Sequence, residues 1–335
     1  MEDMQRIQAL QKTLGIINPT IVICFILGSS IVFMQVPVTS LNVDRWSVIT
    51  SFWDNFFAGK YVYYAKSHMG NPPSGMPFYF LLAFPFYVMG ELGYFSLLGI
   101  VAFYIILKKC HISSVQQFMT LLLLALSVFY MWETVVRSNL FLNGALVLGS
   151  LLFFLKVTPK KKILHFFVNG ILMGLLLSVR NVFVIPYIIA LLYLIRMLKL
   201  SAADMLLIGL VALITFTLTF IPFVYNHFED FRRCNPFIVQ SSVLPFGFII
   251  FYIVLAVVTG LLIQNKYDIC FYSGVILFLA AVTHLVSCIC HYGFYEAFAL
   301  RKADVSYLIL CLPFFLFYQA KIEILQNIYK LEKIH

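Results

Sequence analysis

Long apolar runs alternate with short polar stretches along the whole chain. The runs lie near residues 17–37, 93–107, 116–134, 139–156, 163–179, 182–197, 204–224, 246–264, 269–288 and 304–320. Most approach the roughly 20 residues that an α-helix needs to cross a bilayer. They lack the residue-by-residue alternation of a β-barrel strand. The pattern predicts an all-α polytopic membrane protein with about ten transmembrane helices.

The composition agrees with a membrane protein and argues against a soluble domain. The 335 residues are 62% hydrophobic and 11% charged, and their mean hydropathy is +0.96. The net charge of +9 would suggest nucleic acid as a partner of a soluble protein. Here the bases cluster between apolar runs, which indicates membrane orientation instead. We therefore expect membrane lipids and no nucleic acid as partners. The scattered cysteines are interpreted as packing residues, and no metal site is expected.

A shorter apolar stretch at 76–89 decides the predicted topology. It has about 14 residues, which is more typical of a re-entrant or interfacial segment than of a full crossing. If it does not cross, most lysines and arginines, including Lys108 and Lys109, lie on the inner side. If it crosses, every later loop is inverted. We therefore predict that 76–89 is a helix embedded in the outer leaflet and that both chain ends are cytoplasmic.

The chain 1–335 is predicted to be one integral membrane domain. Residues 1–16 form a cytoplasmic N-terminus, 38–92 a large outer loop with two interfacial helices, 93–320 the remaining transmembrane helices, and 321–335 a cytoplasmic amphipathic tail. The basic turn at 160–162 is expected on the inner side. Most of the polar chemistry then lies on the outer face.

The large outer loop holds the first candidate site residues. Trp and Phe recur at helical spacings over 44–58, which predicts an amphipathic helix in the membrane interface. Such a helix places Asp44 near its N-terminus, within reach of a lipid headgroup, and Asp54 is a weaker candidate. An ordinary solvated loop acid is the alternative. The Pro72–Pro73 pair is predicted to end one helix and to start the next.

Basic residues at the outer ends of later spans are further candidates. Arg137 and Arg180 are each flanked by apolar residues. Each is either an interfacial anchor, because arginine reaches the surface at small cost, or a clamp for a phosphate. Arg232 and Arg233 belong to a charged loop that is either solvated or closes over a polar substrate. His291 fits a loop histidine better than a ligand.

In their order, these features resemble the GT-C superfamily of membrane glycosyltransferases, over most of the first 200 residues. Asp44 resembles the acid near the start of the outer loop of that superfamily. Gly59–Tyr63 is similar to its Gly-x-x-x-Tyr stretch, and Asn71–Tyr79 to its Pro-Pro segment. In VRSNLFLNG, Arg137 matches a Ser-Arg pair of the protein O-mannosyltransferase and lipid A aminoarabinose transferase groups. Arg180 takes the basic position at the end of a Gly-rich span.

The resemblance implies a hexosyl- or pentosyltransferase. It would move a single sugar from a polyprenyl-phosphate donor to a lipid, glycan or protein acceptor at the outer or luminal face. No cofactor is expected, since no metal is strictly required for this reaction, and a divalent cation is the open alternative. Asp44 would be the base, and Arg180 and Arg137 would bind the donor phosphate. An apolar groove would hold the prenyl chain. Further substrate-binding candidates are Asp54, Tyr61, Tyr63, Asn143, Arg232, Arg233 and His291.

Departures from the superfamily keep other functions open. Asn143 stands where an acid is often found and is no base. A surface-polysaccharide polymerase or ligase would carry its large outer loop late in the chain. A transporter would place charged groups within spans, and only His165 and His284 come close. An inactive scaffold is the last alternative. The expected location is the bacterial inner membrane with a periplasmic site, or the endoplasmic reticulum for a eukaryotic source.

Overall fold

The computed structural model describes residues 2–156, 162–198, 201–298 and 303–332, and it shows helices and no strand in these ranges. The all-α class is confirmed. The helices are α1 (Glu2–Gln35), α2 (Arg45–Phe57), α3 (Pro77–Met89), α4 (Gly93–Lys109), α5 (Ser114–Leu126), α6 (Val128–Val135), α7 (Leu140–Phe154), α8 (Lys162–Leu177), α9 (Val184–Leu198), α10 (Ala202–Val224), α11 (Phe228–Arg233), α12 (Pro236–Ser241), α13 (Phe246–Leu262), α14 (Asp268–Tyr292), α15 (Phe294–Phe298) and α16 (Leu312–Glu332).

Several of these helices have the length and composition of membrane spans. Four stretches qualify on their own: Ala9–Gln35, Ala203–Val224, Asp268–Tyr292 and Val305–Ile322. The number rises to 6 if each of two bent pairs is one span, with bends of 60° between α5 and α6 and 65° between the α11–α12 segment and α13. Helices α7, α8 and α9 are apolar but shorter. The chain is therefore consistent with an integral membrane protein, and about ten spans stays a prediction.

The apolar core lies where helices from distant parts of the chain meet. Phe80 of α3, Phe103 of α4, Leu148 of α7, Ile189 of α9 and Phe314 of α16 are all fully buried in one cluster. Burying large side chains of this kind stabilises a fold by about 1.5–3 kcal/mol each relative to water. In a bilayer the reference is lipid, so close packing supplies most of the gain.

Helix α2 forms where the aromatic spacing predicts a helix, but its apolar face packs on protein. The Phe52 ring stacks on Phe80 of α3 with centroids 3.7 Å apart. The Trp53 indole Nε1 donates a hydrogen bond to the Phe80 carbonyl at 3.2 Å. Ile49 and Phe52 are fully buried. The aromatic residues that predicted an interfacial helix thus hold the first loop against α3.

The interpretation of Pro72–Pro73 as a helix junction is wrong. No helix ends or begins at this pair, and the backbone from residue 65 to 76 is irregular. Helix α3 begins instead at Pro77, where the missing N–H of proline removes no intrahelical bond. A turn at 67–71, closed by the Gly70 N–H on the Ser67 carbonyl at 2.8 Å, precedes the proline pair.

Two glycines bring α8 and α10 into close contact. A Cβ atom on Gly174 would lie 2.4 Å from the Ala212 carbonyl oxygen, and one on Gly170 would lie 3.0 Å from the Ile208 carbonyl oxygen. Small residues four apart allow helices to pack closely in membranes. This contact fixes the end of α8, from which Arg180 follows.

The predicted tail is part of a longer helix. Helix α16 runs from Leu312 to Glu332 without a break, where a span and a separate tail helix were expected. Its side chains after Ile322 lie outside the described residues, as do residues 333–335. The predicted basic turn also lies largely outside them, since residues 157–161 are not described.

Arg137 ties three segments of the bundle together. Its guanidinium donates to the carbonyls of Phe33 at 3.2 Å and Val36 at 2.9 Å, at the end of α1. It also donates to the Val135 carbonyl at 2.7 Å and to both carboxylate oxygens of Glu91 at 3.2 and 3.3 Å. The side chain is fully buried, and its backbone φ of 59° is rare for a residue with a Cβ atom. We infer that these bonds hold the residue in that conformation.

Arg137→Met should strongly destabilise the protein. It leaves the Glu91 carboxylate without its charge partner and two α1 carbonyls without a donor, which we expect to lower the free energy of unfolding by about 3–5 kcal/mol. A denaturant titration in mixed micelles measures it. Arg232→Met is the matched control, because Arg232 pairs with Glu229 only on the exposed surface at 3.7 Å. That control should change the free energy by about 0.5 kcal/mol or less. Equal effects of the two changes would contradict this role for Arg137.

Candidate functional site

A polar cleft and an apolar cavity share a wall in the middle of the fold. The cleft has a volume of about 1190 Å³, and its lining includes Asp44, Arg45, Asn71, Tyr79, Arg180, His284, His291, Asp304 and Tyr307. The cavity has a volume of about 310 Å³. The residues that line both are Ser74, Arg180, Val243, Leu244, His284 and Tyr307.

Asp44 presents a carboxylate at one side of the cleft. It precedes α2 but does not cap that helix with its side chain. Instead, Oδ2 accepts hydrogen bonds from the Ser67 hydroxyl at 2.8 Å and the Asn71 amide at 2.7 Å. Both donors belong to the turn that precedes Pro72. The turn thus orients the carboxylate, and neutral donors leave its negative charge without a cation in direct contact.

Arg45 and Asp304 form an ion pair between the first loop and the segment before Val305. Burial acts to lower the pKa of Arg45, but the charges of Asp304, Tyr307 and Glu133 raise it, and the net direction is upward. Burial alone would raise the pKa of Asp304. The charge and hydrogen bond of Arg45, followed by the charge of Arg180, hold that pKa below its usual value. Both groups therefore stay charged at neutral pH.

Arg180 sits in a break between α8 and α9 that is held by hydrogen bonds. Its backbone is extended, with φ −152° and ψ 138°. On one side, the N–H of Met76 donates to the Val179 carbonyl at 3.2 Å, and the N–H of Phe78 donates to the Ser178 hydroxyl at 3.2 Å. The first N–H groups of α3 have no preceding helical turn that could offer carbonyl acceptors. They donate to the break instead.

Gln240 fixes the other side of the same break. Its side-chain oxygen accepts from the Asn181 N–H at 3.0 Å, and its side-chain nitrogen donates to the Ser74 carbonyl at 2.6 Å. One amide on α12 therefore bridges the first loop and the residue that follows Arg180. This arrangement positions Arg180 at the boundary between the cleft and the cavity.

The Arg180 guanidinium is buried and forms no ion pair with a described residue, although the charge of Asp304 is near enough to interact with it. The residue is 8% exposed, and Nε has no hydrogen-bond partner among the described residues. Its Cζ atom lies 5.4 Å from the centre of the Tyr307 ring, and that of Arg45 lies 5.9 Å from the same centre. A buried guanidinium is costly unless it is paired. The site therefore has the electrostatic character of an anion-binding site.

The apolar cavity leads from Arg180 to the surface of α13. Its lining includes Ile185, Tyr252, Ile253 and Leu277. Ile253 is also exposed on the outside of that helix. The cavity therefore connects the guanidinium with an apolar outer face, and it suits part of an aliphatic chain.

The structure brings together three of the predicted site residues. Asp44, Arg180 and His291 all line the cleft. Arg137 does not, because its five hydrogen bonds are made inside the bundle. Asn143 is fully buried on α7, and neither polar atom of its side chain has a partner in the described part of the chain.

The remaining predicted residues lie elsewhere. The Asp54 carboxylate accepts from the Tyr87 hydroxyl at 2.7 Å, on an exposed face of α2. Tyr61 and Tyr63 are buried, and the Tyr61 hydroxyl donates to the Cys234 carbonyl at 2.6 Å. These contacts hold the first loop against the 225–245 segment. Arg232 and Arg233 are exposed on α11.

Sequence reasoning missed Asp304, Tyr307 and the role of Arg45. An acid beside an apolar run is an ordinary loop residue, and 259 positions separate Arg45 from Asp304. Only the fold pairs them. His284 carried a usable signal, because a histidine inside an apolar span is rare.

No family model, no curated protein and no solved structure matches this chain.

The Arg45–Asp304 pair should make stability depend on acid pH. Because the pKa of Asp304 is lowered in the folded protein, its contribution is fully present above the ordinary aspartate value of about 3.9 and is lost as pH falls through the lowered value. We expect the wild type to lose more thermal stability below about pH 4 than Arg45→Gln/Asp304→Asn, in which the pair is neutral. Melting temperatures in detergent measure this difference. A parallel decline of the two proteins would contradict it.

Proposed function

We propose that this protein is a membrane glycosyltransferase that moves a single sugar from a polyprenyl-phosphate donor to an acceptor hydroxyl. One observation carries the proposal: the unpaired Arg180 guanidinium lies at the boundary between a polar cleft and an apolar cavity. A sugar, a phosphate and an aliphatic chain are joined in that same order in such a donor. The sugar occupies the cleft, the phosphate meets Arg180, and the first part of the chain enters the cavity.

Asp44 is the general base in this proposal. It removes the proton from the acceptor hydroxyl as the acceptor oxygen bonds to the anomeric carbon. The Ser67 and Asn71 hydrogen bonds hold one carboxylate oxygen, Oδ2, in place. The electron pair of the breaking bond to the sugar passes to a phosphate oxygen. Arg180 stabilises the charge that develops there, in a site where burial strengthens the interaction.

The same proposal includes the topology. About ten spans with both chain ends cytoplasmic place the first loop, Asp44 and the cleft at the outer or luminal face. The donor then reaches the cavity from the bilayer through the exposed face of α13. The cleft is large enough for any of several hexoses or pentoses, and a panel of donors identifies the sugar.

Replacing Asp44 tests the base. Membranes that contain the protein are supplied with a panel of radiolabelled polyprenyl-phosphate sugars. We expect Asp44→Asn to reduce transfer of label by about 10²–10⁴-fold, the usual contribution of a general base. Asp54→Asn is the matched acid control, because that carboxylate binds Tyr87 away from the cleft. Full transfer by Asp44→Asn would remove Asp44 from the mechanism. The absence of transfer from every donor by the wild type would favour a scaffold or a transporter.

Replacing Arg180 tests the phosphate site. Arg180→Gln keeps polar atoms but no charge, so we expect kcat to fall by about 10²–10³-fold. Arg232→Gln removes a charge from the exposed surface and should leave kcat within about twofold of the wild type. Single-turnover kinetics with the active donor measure both. Equal values for Arg180→Gln and the wild type would contradict the assignment.

A further inference from the structure

We propose that His284 is the second ligand of the phosphate, and that it makes the site selective for a phosphate monoester over a diester. The inference rests on the proposed function, because it names a further contact of the same phosphate. His284 lies on α14, far in sequence from the first loop, and it lines both the cleft and the cavity.

The geometry orients one ring nitrogen of His284 toward the protein. Nδ1 lies 2.9 Å from the Val243 carbonyl oxygen. A carbonyl only accepts, so Nδ1 carries the hydrogen of this bond. The other nitrogen, Nε2, is then the one that accepts or releases a proton. Among the described residues, Nε2 lies 3.8 Å from the Cys288 sulfur, which is a weak hydrogen-bond partner.

His284 and Arg180 flank the same aromatic ring. The His284 and Tyr307 ring centres are 5.4 Å apart, and Arg180 Cζ lies 5.4 Å from the Tyr307 centre. His284 is 9% exposed and Arg180 is 8% exposed. Two buried side chains with nitrogen donors therefore line both the cleft and the cavity, and each lies beside the Tyr307 ring.

After sugar transfer the released lipid phosphate carries a second negative charge, and the cations that line the cleft do not match it. The Arg45 charge is matched by Asp304. Arg180 interacts with the charge of Asp304 but forms no ion pair with a described residue, and it matches the single negative charge of a phosphodiester donor. When the bond to the sugar breaks, the phosphate becomes a monoester with a charge of about −1.5 to −2 at pH 7. A proton taken from solvent onto Nε2 turns His284 into an imidazolium that donates to this second charge.

The surroundings of His284 contain few other groups that would compete for this role. Cys288 lies one turn further along the same helix and lines the cleft, and the Tyr307 ring is tilted by 60° against the imidazole. In the described part of the chain, the charged residues that line the cleft are Asp44, Arg45, Arg180 and Asp304, and His291 of the same helix is a further titratable group there. A bound phosphate adds negative charge to this set, and the imidazolium is the form of histidine that donates from both ring nitrogens.

Direct binding tests this proposal without requiring turnover. The full chain in lipid nanodiscs is titrated with a polyprenyl monophosphate and with its methyl diester of the same chain length, both at pH 7. We expect the wild type to prefer the monoester by about tenfold, and His284→Gln to lose that preference while its diester affinity changes less than about twofold. His165→Gln is the matched control, because His165 lies on α8 against Phe153, with ring centres 4.8 Å apart; it should keep the preference.

A second variant separates ligand binding from a structural role. His284→Asn keeps an amide donor near the Nδ1 position for the Val243 carbonyl but has no atom at Nε2. Loss of the monoester preference in both variants supports the proposal. Retention of the preference in His284→Asn, or equal weakening of both ligands in His284→Gln, overturns it. If the protein transfers no sugar but its monoester preference depends on His284, only the proposed function is contradicted. If it transfers sugar but shows no monoester preference, only the role of His284 is contradicted.

Discussion

A buried charge in an apolar helix bundle needs a partner, and the partners of three buried arginines connect distant segments of this chain or mark its site. The guanidinium of Arg137 bonds to Glu91 and to backbone carbonyls, so it joins the end of α1 to the turn after α6. The guanidinium of Arg45 pairs with Asp304 and joins the first loop to the start of the last helical segment. Arg180 forms no such ion pair within the described part of the chain. Since an unpaired buried cation is costly, its retention suggests that a ligand completes it.

The position of Arg180 follows from backbone requirements as much as from its charge. The helices α8 and α10 approach closely at Gly170 and Gly174, which fixes where α8 ends. The chain then turns at Ser178 and becomes extended at Arg180, and the first N–H groups of α3 bond to this stretch. The irregular backbone is thus hydrogen-bonded to other parts of the protein. These bonds join the first loop to the α8–α9 break.

Sequence reasoning found the helices and part of the site for identifiable reasons. Long apolar runs mark helices whatever their partners, and the aromatic spacing over 44–58 marked α2. Asp44 and Arg180 stood out because charged residues beside apolar runs are few. The same criterion selected Arg137, since the sequence does not show that Glu91 and the α1 carbonyls surround it. Asp304 was missed because its partner is distant along the chain, and Pro72–Pro73 was misread because its turn depends on Ser67 and Asp44.

The central claim is that an anionic lipid headgroup completes the charge of Arg180. A structure of the full chain in nanodiscs with a polyprenyl monophosphate tests it most directly. The account predicts density for the phosphate within hydrogen-bond distance of the Arg180 guanidinium, with the chain passing between Ile185 and Leu277 in the apolar cavity. Density for the phosphate at a surface lysine or arginine cluster, with the cavity filled by side chains or by unrelated lipid, would contradict it.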